Sequence, residues 1–281
     1  MGNRWYAWGL DDARVLLVEL APVTRPVLEA AKSCVAVVRY GTGFDNIDLE
    51  AAAQLGIAAT NVPGYAAQSV SEHTMALLLA VARRLVEQVD LVRSGDWRSG
   101  DLRFRPLGLS GATLGIVGVG AIGKALSVRA RAFGMTVLGY DPYLDDGELS
   151  PHAAPTELQV LLARSDYVSL HLPLSPDTRG IIGVAALSGM KTGAVLINTS
   201  RGGLVDEQAL LDALDTGQLS YAALDVTANE PLAADDPLRS HPRVLVTPHV
   251  AFWSDQAELA LRTSVAQAAA GFLRVGEEDH K

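Results

Sequence analysis

Short apolar runs alternate with segments of helical periodicity along most of the chain. The runs predict strands at residues 15–18, 35–38, 58–62, 114–117, 136–140, 167–171, 194–198, 221–224 and 244–246. Apolar residues of the intervening segments recur at spacings of three and four, as on a helix that packs one face on a sheet. This alternation predicts an α/β protein with parallel sheets.

The order of the elements predicts two domains. Six strands from residue 114 onwards, with helices between them, suit a doubly wound parallel-sheet fold that binds dinucleotides, and we place this domain at 74–253. The segments 1–73 and 254–281 are assigned to a smaller, discontinuous domain.

Two long helices are predicted, at 71–92 and 254–273. The second has Ser254 as a candidate N-cap and is expected to cross back onto the first block of the chain. Between the first helix and the six strands, residues 94–109 are rich in Gly, Arg, Asp and Pro, which indicates an exposed connection.

A glycine turn lies between a predicted strand and a predicted helix. Gly118 permits a tight turn, Gly120 lets the backbone approach a pyrophosphate, and Gly123 lets the helix pack closely on the strand. The free amides at the helix N-terminus suit phosphates. Asp141 ends the next strand and suits a ribose diol, while its charge repels a ribose phosphate. The turn therefore predicts NAD as the cofactor.

Composition narrows the class of protein. The chain is 49% hydrophobic and 20% charged, which suits a packed core, and its net charge of −9 disfavours nucleic acid and anionic membranes as partners. The single cysteine, Cys34, excludes an internal disulfide and fits the cytoplasm. A secretory signal is not visible at the N-terminus. The histidines lack metal-ligand spacing, so we expect no metal site.

Three candidate catalytic residues follow predicted strands: Arg201, Glu230 and His249. Reactive groups of open α/β sheets gather at the carboxyl ends of the strands. Arginine binds a carboxylate through two hydrogen bonds, histidine transfers a proton, and a glutamate fixes the tautomer of that histidine. Together they suit hydride chemistry on a 2-keto acid. Each one alone is more simply a surface charge or a core histidine.

The chain resembles the D-isomer-specific 2-hydroxyacid dehydrogenase family. The resemblance rests on the stretches 39–48, 118–123, 198–206, 225–231 and 247–254. Within the family, Asp141-Pro-Tyr-Leu-Asp-Asp-Gly147 and the pair Phe252-Trp253 are similar to the C-terminal-binding-protein branch, which also contains transcriptional corepressors.

The resemblance implies site residues beyond those of the motifs. It carries the roles of catalytic Arg, Glu and His onto Arg201, Glu230 and His249. Cofactor contacts are expected at Gly118, Gly120, Ala121, Ile122, Gly123, Asp141, Leu172, Pro173, Thr178, Thr199, Ser200, Asp225 and Thr74. Substrate contacts are expected at Tyr40, Gly41, Thr42, Gly43, Arg201 and Phe252, with backbone amides of 40–43 meeting the substrate carboxylate. The helix after residue 75 and the connection behind it are similar to the family's dimerisation arm, so a homodimer is expected.

One departure from the family pattern concerns the smaller domain. The family's flavodoxin-like substrate domain opens with a strand, a helix and a second strand before the segment that matches 15–18, whereas about 14 residues precede it here. We therefore expect a truncated domain in which 15–18 has an unpaired edge. Three explanations are open: Trp5, Tyr6 and Trp8 cover that edge, a second chain supplies the contacts, or the native start lies upstream. We favour the first two. Deleting residues 2–9 is expected to change solubility or assembly.

Two functions from different classes remain open. The first is an NAD-dependent oxidoreductase that transfers hydride between nicotinamide and a 2-keto or 2-hydroxy acid. The second is an NAD(H)-sensing interaction module, similar to the corepressors, with negligible turnover. Hydride donors such as formate or phosphite form a weaker third option, because Phe252 and Trp253 suit a larger substrate.

Overall fold

The computed structural model describes residues 10–97 and 107–278, and divides the chain into two compact units. The described residues of the split unit fall within Met1–Ala66 and Ser254–Lys281, and those of the continuous unit within Ala67–Trp253. The boundaries of these units lie at 66/67, at the start of a helix, and at 253/254, while the domain assignment of 74–253 stays a prediction.

The split unit is a small three-layer α/β assembly. Its parallel sheet has the order β1-β2-β3, formed by β1 (Val15–Val18), β2 (Ala36–Arg39) and β3 (Ala58–Thr60). Its helices are α1 (Arg25–Ala30), α2 (Leu49–Gln54) and α11 (Asp255–Glu278). Buried Leu261 and Val265 of α11 pack with Val38 and Val62, so the last helix returns to the first block as predicted.

The continuous unit holds a seven-stranded parallel sheet. Its strands are β4 (Thr113–Val117), β5 (Thr136–Tyr140), β6 (Ala154–Pro155), β7 (Tyr167–Leu170), β8 (Ala194–Asn198), β9 (Leu219–Leu224) and β10 (Val244–Val246). Their order is β10-β9-β8-β7-β4-β5-β6. The order reverses at β4, whose neighbours are β5 on one side and β7 on the other, and ligands of doubly wound sheets bind at such a switch point.

Helices connect the strands of the continuous unit. They are α3 (Ala67–Ala82), α4 (Leu85–Arg93), α5 (Ala121–Ala132), α6 (Asp146–Leu149), α7 (Leu158–Arg164), α8 (Val184–Gly189), α9 (Glu207–Asp215) and α10 (Pro237–Ser240), with a short 3₁₀ turn at Gly202–Leu204. The central strands are buried on both faces, which explains why they read as continuous apolar runs instead of alternating ones.

The single helix predicted at 71–92 is wrong. The chain forms α3 and α4 instead, because Arg84 adopts a left-handed conformation with φ of 53°, which interrupts the ladder of helical hydrogen bonds. The Arg84 guanidinium lies 4.8 Å from the ring centre of Tyr221 and contacts Glu87. The apolar periodicity continues across this break, so the sequence pattern carries no sign of it. Strand β6, only two residues long, was also not predicted.

The strand β1 lies at the edge of the three-stranded sheet, and in the described part of the chain it pairs with β2 alone. Leu17 is half exposed there. The residues expected to cover this edge, and the part of the predicted connection at 98–106, lie outside the described residues. Cys34 is buried and its thiol donates to the Ala36 carbonyl, as expected of a core residue. Over the described ranges, the helices are all too short or too polar to cross a membrane.

Candidate active site

The three glycines of the turn after β4 occupy three different environments. A Cβ atom on Gly118, whose φ is +97°, would lie 2.6 Å from the backbone carbon of His171, and one on Gly123 would lie 2.3 Å from the Gly118 oxygen. A Cβ on Gly120 would meet nothing within 4 Å. The first and third glycines thus permit the turn and the helix packing, while the second leaves open space beside the backbone for a ligand.

Helix α5 begins directly at this open space. Gly120 is its N-cap and offers no side chain to the first helical amides, which include those of Ala121 and Ile122. These amides and the positive end of the helix dipole suit a pyrophosphate. Both features fit the predicted dinucleotide.

Asp141 closes the turn from the neighbouring strand. One carboxylate oxygen accepts the Val119 amide at 2.8 Å, and the other accepts the Tyr143 amide at 2.9 Å. Each oxygen retains a lone pair for a ribose hydroxyl. These bonds aim the carboxylate at the edge of the turn, where a ribose 2′-phosphate would meet a negative charge.

The loop after β7 forms a second boundary of this region. Thr178 is buried, and its hydroxyl donates to the Pro173 carbonyl at 2.7 Å, while the Ser200 hydroxyl donates to the Leu172 carbonyl. Thr178 and Ser200 therefore shape the loop at 172–173. His171 precedes this loop: its Nε2 lies 2.9 Å from the Ser169 hydroxyl, its buried Nδ1 has no hydrogen-bond partner in the described chain, and burial lowers its pKa to about 3.

Thr74 and Thr199 meet at the end of β8. Their hydroxyls lie 2.9 Å apart, and the Thr74 hydroxyl also donates to the Val70 carbonyl. Thr74 is fully buried and Thr199 nearly so. Thr74 therefore supports Thr199 from α3, and any effect of Thr74 on the cofactor passes through its partner.

The turn that carries Arg201 is built by Asn198. The Asn198 side chain donates to the Arg201 carbonyl at 2.8 Å and accepts the Ser200 amide at 3.0 Å. A Cβ on Gly202 would lie 2.0 Å from the Thr227 backbone, so this turn packs tightly against the loop after β9. That packing brings the Arg201 charge close enough to Glu230 to lower the pKa of its carboxyl.

His249 and Glu230 form a direct pair. Nδ1 of His249 lies 2.6 Å from Oε2 of Glu230, and both side chains are about 40% exposed, at 40% and 37%. The other Glu230 oxygen accepts the Thr227 amide at 3.1 Å. Nδ1 therefore carries a proton, which leaves Nε2 to exchange one with a ligand. Burial raises the pKa of Glu230, but the bonds to His249 and Thr227 and the Arg201 charge outweigh it and hold this pKa below its ordinary value.

Asp225 supports the turn that carries His249. Its carbonyl accepts the His249 amide at 2.8 Å, and its two carboxylate oxygens accept the amides of Val250 at 3.0 Å and Ala251 at 2.9 Å. Burial raises the pKa of Asp225, while hydrogen bonds from His73, Thr247 and these amides lower it by more. The expected cofactor contact at Asp225 therefore coincides with a structural one.

Phe252 lies next to the imidazole. The two rings meet edge to face, with centres 6.2 Å apart and planes at 79°. Trp253 is exposed. Phe252 can therefore contact a ligand of His249 while it also limits the rotation of the imidazole.

The expected substrate loop belongs to the split unit. The Tyr40 amide donates to Val18 and the Gly41 amide donates to Arg39, so these two are already engaged. The Thr42 carbonyl accepts the Asn61 side chain at 2.6 Å, which orders the loop. The amides of Thr42 and Gly43 are the better candidates to bind a carboxylate.

Three supporting residues were not assigned from the sequence. Thr247 and His73 contact Asp225, and Glu207 accepts the Ala228 amide at 2.6 Å, which ties the loop of Glu230 to α9. Burial raises the pKa of Glu207. Thr247 opens the matching stretch 247–254 and Glu207 directly follows 198–206, but only tertiary contacts show what they bind. Among the described residues, no group of histidines, cysteines and acids could hold a metal ion.

The glycine turn at the switch point, the Asp141 carboxylate and the His249–Glu230 pair fit one class of protein, an oxidoreductase with an NAD-binding domain. The chain belongs to the D-isomer specific 2-hydroxyacid dehydrogenase family, whose NAD binding domain matches residues 75–251.

Individual relatives agree with this assignment. The chain is 41% identical to D-3-phosphoglycerate dehydrogenase of Methanocaldococcus jannaschii over 94% of its own length, but it spans only 51% of that relative. It is also 41% identical to glyoxylate reductase of Korarchaeum cryptofilum, covering 94% of this chain and 80% of the relative. D-lactate dehydrogenase of Aquifex aeolicus, solved with NAD and lactic acid, is 32% identical with a TM-score of 0.87, covering 96% and 85% of the two chains.

Proposed function

We propose that the protein catalyses NAD-dependent interconversion of a 2-keto acid and the D-isomer of its 2-hydroxy acid. The observation that carries this proposal is the His249–Glu230 pair, at 2.6 Å, beside Arg201 on the sheet that also holds the glycine turn. Its family supports the reaction class, and relatives are named as reductases or dehydrogenases of keto and hydroxy acids.

Each side chain has a distinct task in this reaction. Arg201 binds the substrate carboxylate and polarises the adjacent carbonyl. His249 gives a proton from Nε2 to the carbonyl oxygen as it becomes a hydroxyl, and takes it back in the reverse direction. Glu230 keeps Nδ1 protonated and stabilises the imidazolium. Bound NAD(H) supplies or accepts the hydride.

The cofactor assignment extends to a preference for NAD over NADP. Gly118, Gly120 and Gly123, with the amides of Ala121 and Ile122, hold the pyrophosphate. Asp141 binds the ribose diol and repels a 2′-phosphate. Leu172, Pro173, Thr178, Thr199, Ser200, Asp225 and Thr74 complete the cofactor site in this proposal.

The substrate is a 2-keto acid with an apolar or aromatic side group. Phe252, in contact with the His249 ring, supports that choice, and the C-terminal-binding-protein-like pair Phe252-Trp253 agrees with it. Within the split unit, the backbone of Tyr40, Gly41, Thr42 and Gly43 stays the proposed binding loop for a carboxylate, and the amides of the last two are the better candidates.

The test is turnover on a panel of 2-keto acids that differ in side group, with NADH or NADPH, followed by chiral analysis of the product. We expect NADH-dependent formation of the D-hydroxy acid and a preference for larger side groups. The matched variants are Arg201→Lys, which keeps the charge but loses the two-pronged bond, and Arg262→Lys, an exposed arginine of α11 paired with Glu258. Only the first should raise KM. NADH binding without turnover on any acid would favour the sensing module.

Assembly as a homodimer forms part of the proposal. Helix α4 buries none of its residues, and Leu85, Val86, Val89 and Val92 are 54%, 41%, 38% and 52% exposed. Such a stripe of apolar side chains suits a second copy of the chain. Sedimentation should show a dimer that Val89→Glu dissociates, while Gln88→Glu on the same helix does not. The one buried thiol, Cys34, supports a place in the cytoplasm.

A further inference from the structure

A chain of side chains leads from helix α3 to the turn that carries His249. Nε2 of His73 lies 3.0 Å from the Thr247 hydroxyl oxygen, and this hydroxyl donates to Oδ1 of Asp225 at 2.5 Å. The hydroxyl has one proton, which it gives to Asp225, so its oxygen accepts from His73. His73 must therefore carry its proton on Nε2.

The chain ends at a backbone that needs support. His249 has a φ of 55°, a left-handed conformation that is strained for a residue other than glycine. Asp225 binds the backbone amides of His249, Val250 and Ala251 with its carbonyl and its carboxylate. The buried carboxylate thus fixes the direction in which the imidazole leaves the turn.

His73 and Thr247 in turn fix that carboxylate. The Asp225 side chain is 1% exposed, and Nε2 of His73 lies 3.5 Å from its Oδ1. Without the Thr247 hydroxyl and the His73 N–H, Oδ1 keeps only the Val250 amide and can rotate away from it. Loss of either group therefore loosens the turn of His249 from the far side.

We infer that His73 is a positioning residue for proton transfer: it acts through Thr247 and Asp225 to hold His249 against Glu230. The inference rests on the proposed function. His73 is not itself a proton donor to substrate in this scheme, because its Nε2 proton is engaged with Thr247. A histidine is suited to the task because a rigid ring holds its N–H at a fixed distance from α3.

The test compares variants that remove or restore the Nε2–H donor. His73→Phe keeps the ring and removes the donor, and Thr247→Val keeps the shape and removes the hydroxyl. Each should lower kcat about tenfold or more, since small misplacement of a catalytic group has effects of this size. The double variant should be no slower than either single one, because both break the same chain of contacts.

His73→Gln should restore most of the rate, since its Nε2 is as many bonds from Cα as that of histidine, and Thr247→Ser should do the same. His241→Phe is the matched control. His241 pairs with Asp215 at 3.2 Å and precedes the start of β10, whereas His249 follows its end, so this substitution should leave kcat unchanged. Full activity of His73→Phe, or additive losses in the double variant, would overturn the inference.

A spectroscopic readout separates this inference from the reaction itself. The Nδ1 proton of His249, held at 2.6 Å from Glu230, should give a downfield proton NMR signal that His249→Gln removes. In His73→Phe the signal should shift or broaden, and in His73→Gln it should return. If the wild-type protein turns over no keto acid, the proposed function fails while this signal still tests the positioning. An unchanged signal in His73→Phe would refute the positioning even in an active enzyme.

Discussion

The glycine turn and the His249 turn solve different problems on the same sheet. At the glycine turn, the backbone makes the site: what matters is the absence of side chains at Gly118 and Gly123 and the open space at Gly120. At the His249 turn, side chains make the site, and a buried aspartate fixes a strained backbone beneath them. The first depends on local sterics, and the second depends on contacts between segments far apart in sequence.

The largest expected effect comes from the His249 turn. His249→Ala removes the proposed proton donor and should lower kcat by about 10²–10⁴-fold, the usual contribution of a general acid or base. NADH affinity should stay the same, because the glycine turn is intact. Stopped-flow kinetics and a fluorescence titration measure the two quantities. A comparable loss in both would mean that the two turns do not act separately.

The glycine turn is tested by a matched pair of glycine variants. Gly123→Ala forces a Cβ to within 2.3 Å of the Gly118 oxygen and should lower the free energy of unfolding by about 1–3 kcal/mol. Gly120→Ala meets no protein atom within 4 Å and has an ordinary φ of −69°, so stability should be unchanged. Its Kd for NADH should nevertheless rise about tenfold. Equal melting temperatures of the two variants would contradict this division.

Asp141 gives a smaller effect on cofactor choice. Asp141→Asn keeps an acceptor for the Val119 amide and removes the charge, so the ratio of kcat/KM for NADH to that for NADPH should fall about tenfold, the scale of one charge-assisted bond. Asp145→Asn, at the N-cap of α6, is the control for the loss of one nearby carboxylate. An unchanged ratio in Asp141→Asn would show that shape alone excludes NADPH.

A last comparison concerns stability alone and rests on His171, which lies against Gly118. Its pKa is about 3 in the folded protein against an ordinary 6.5, so the unfolded chain takes up a proton first as pH falls. The contribution to stability is complete above pH 6.5 and declines between 6.5 and 3, by up to about 1.4 kcal/mol per pH unit. Urea unfolding at pH 7 and pH 5 should show a shallower decline in His171→Gln than in the wild type or in His241→Gln. Parallel declines would disprove a neutral buried imidazole.

The same contrast explains which elements of the fold can be predicted from the amino-acid sequence. The continuous apolar runs predicted every strand longer than two residues, because strands of a parallel sheet are buried on both faces and are therefore apolar along their length. The glycine turn was also readable, since each glycine answers to its own local sterics. The break between α3 and α4 was missed, because Arg84 adopts its left-handed conformation in a tertiary setting with Tyr221.

The sequence predicted which residues carry the chemistry of the candidate site, but not the contacts that hold them in place. The sequence singles out Arg201, Glu230 and His249 because each follows a strand. Glu230 and His249 follow β9 and β10, which are neighbours in the sheet, and this order suggests that the two side chains pair. His73 lies 174 residues from Thr247, and a single histidine in a helix gives no indication of such a partner. The supporting contacts therefore needed coordinates.

The path of the chain suits the exchange of whole units between homologues. The continuous unit, with Arg201, Glu230 and His249, is inserted into the split unit at one place, and its two junctions lie before residue 67 and after residue 253. Two crossovers would therefore exchange the three proposed catalytic residues between homologues while the loop of 40–43 is retained, or the reverse. Chimeras made at these junctions would assign substrate choice and reaction rate to separate halves of the gene.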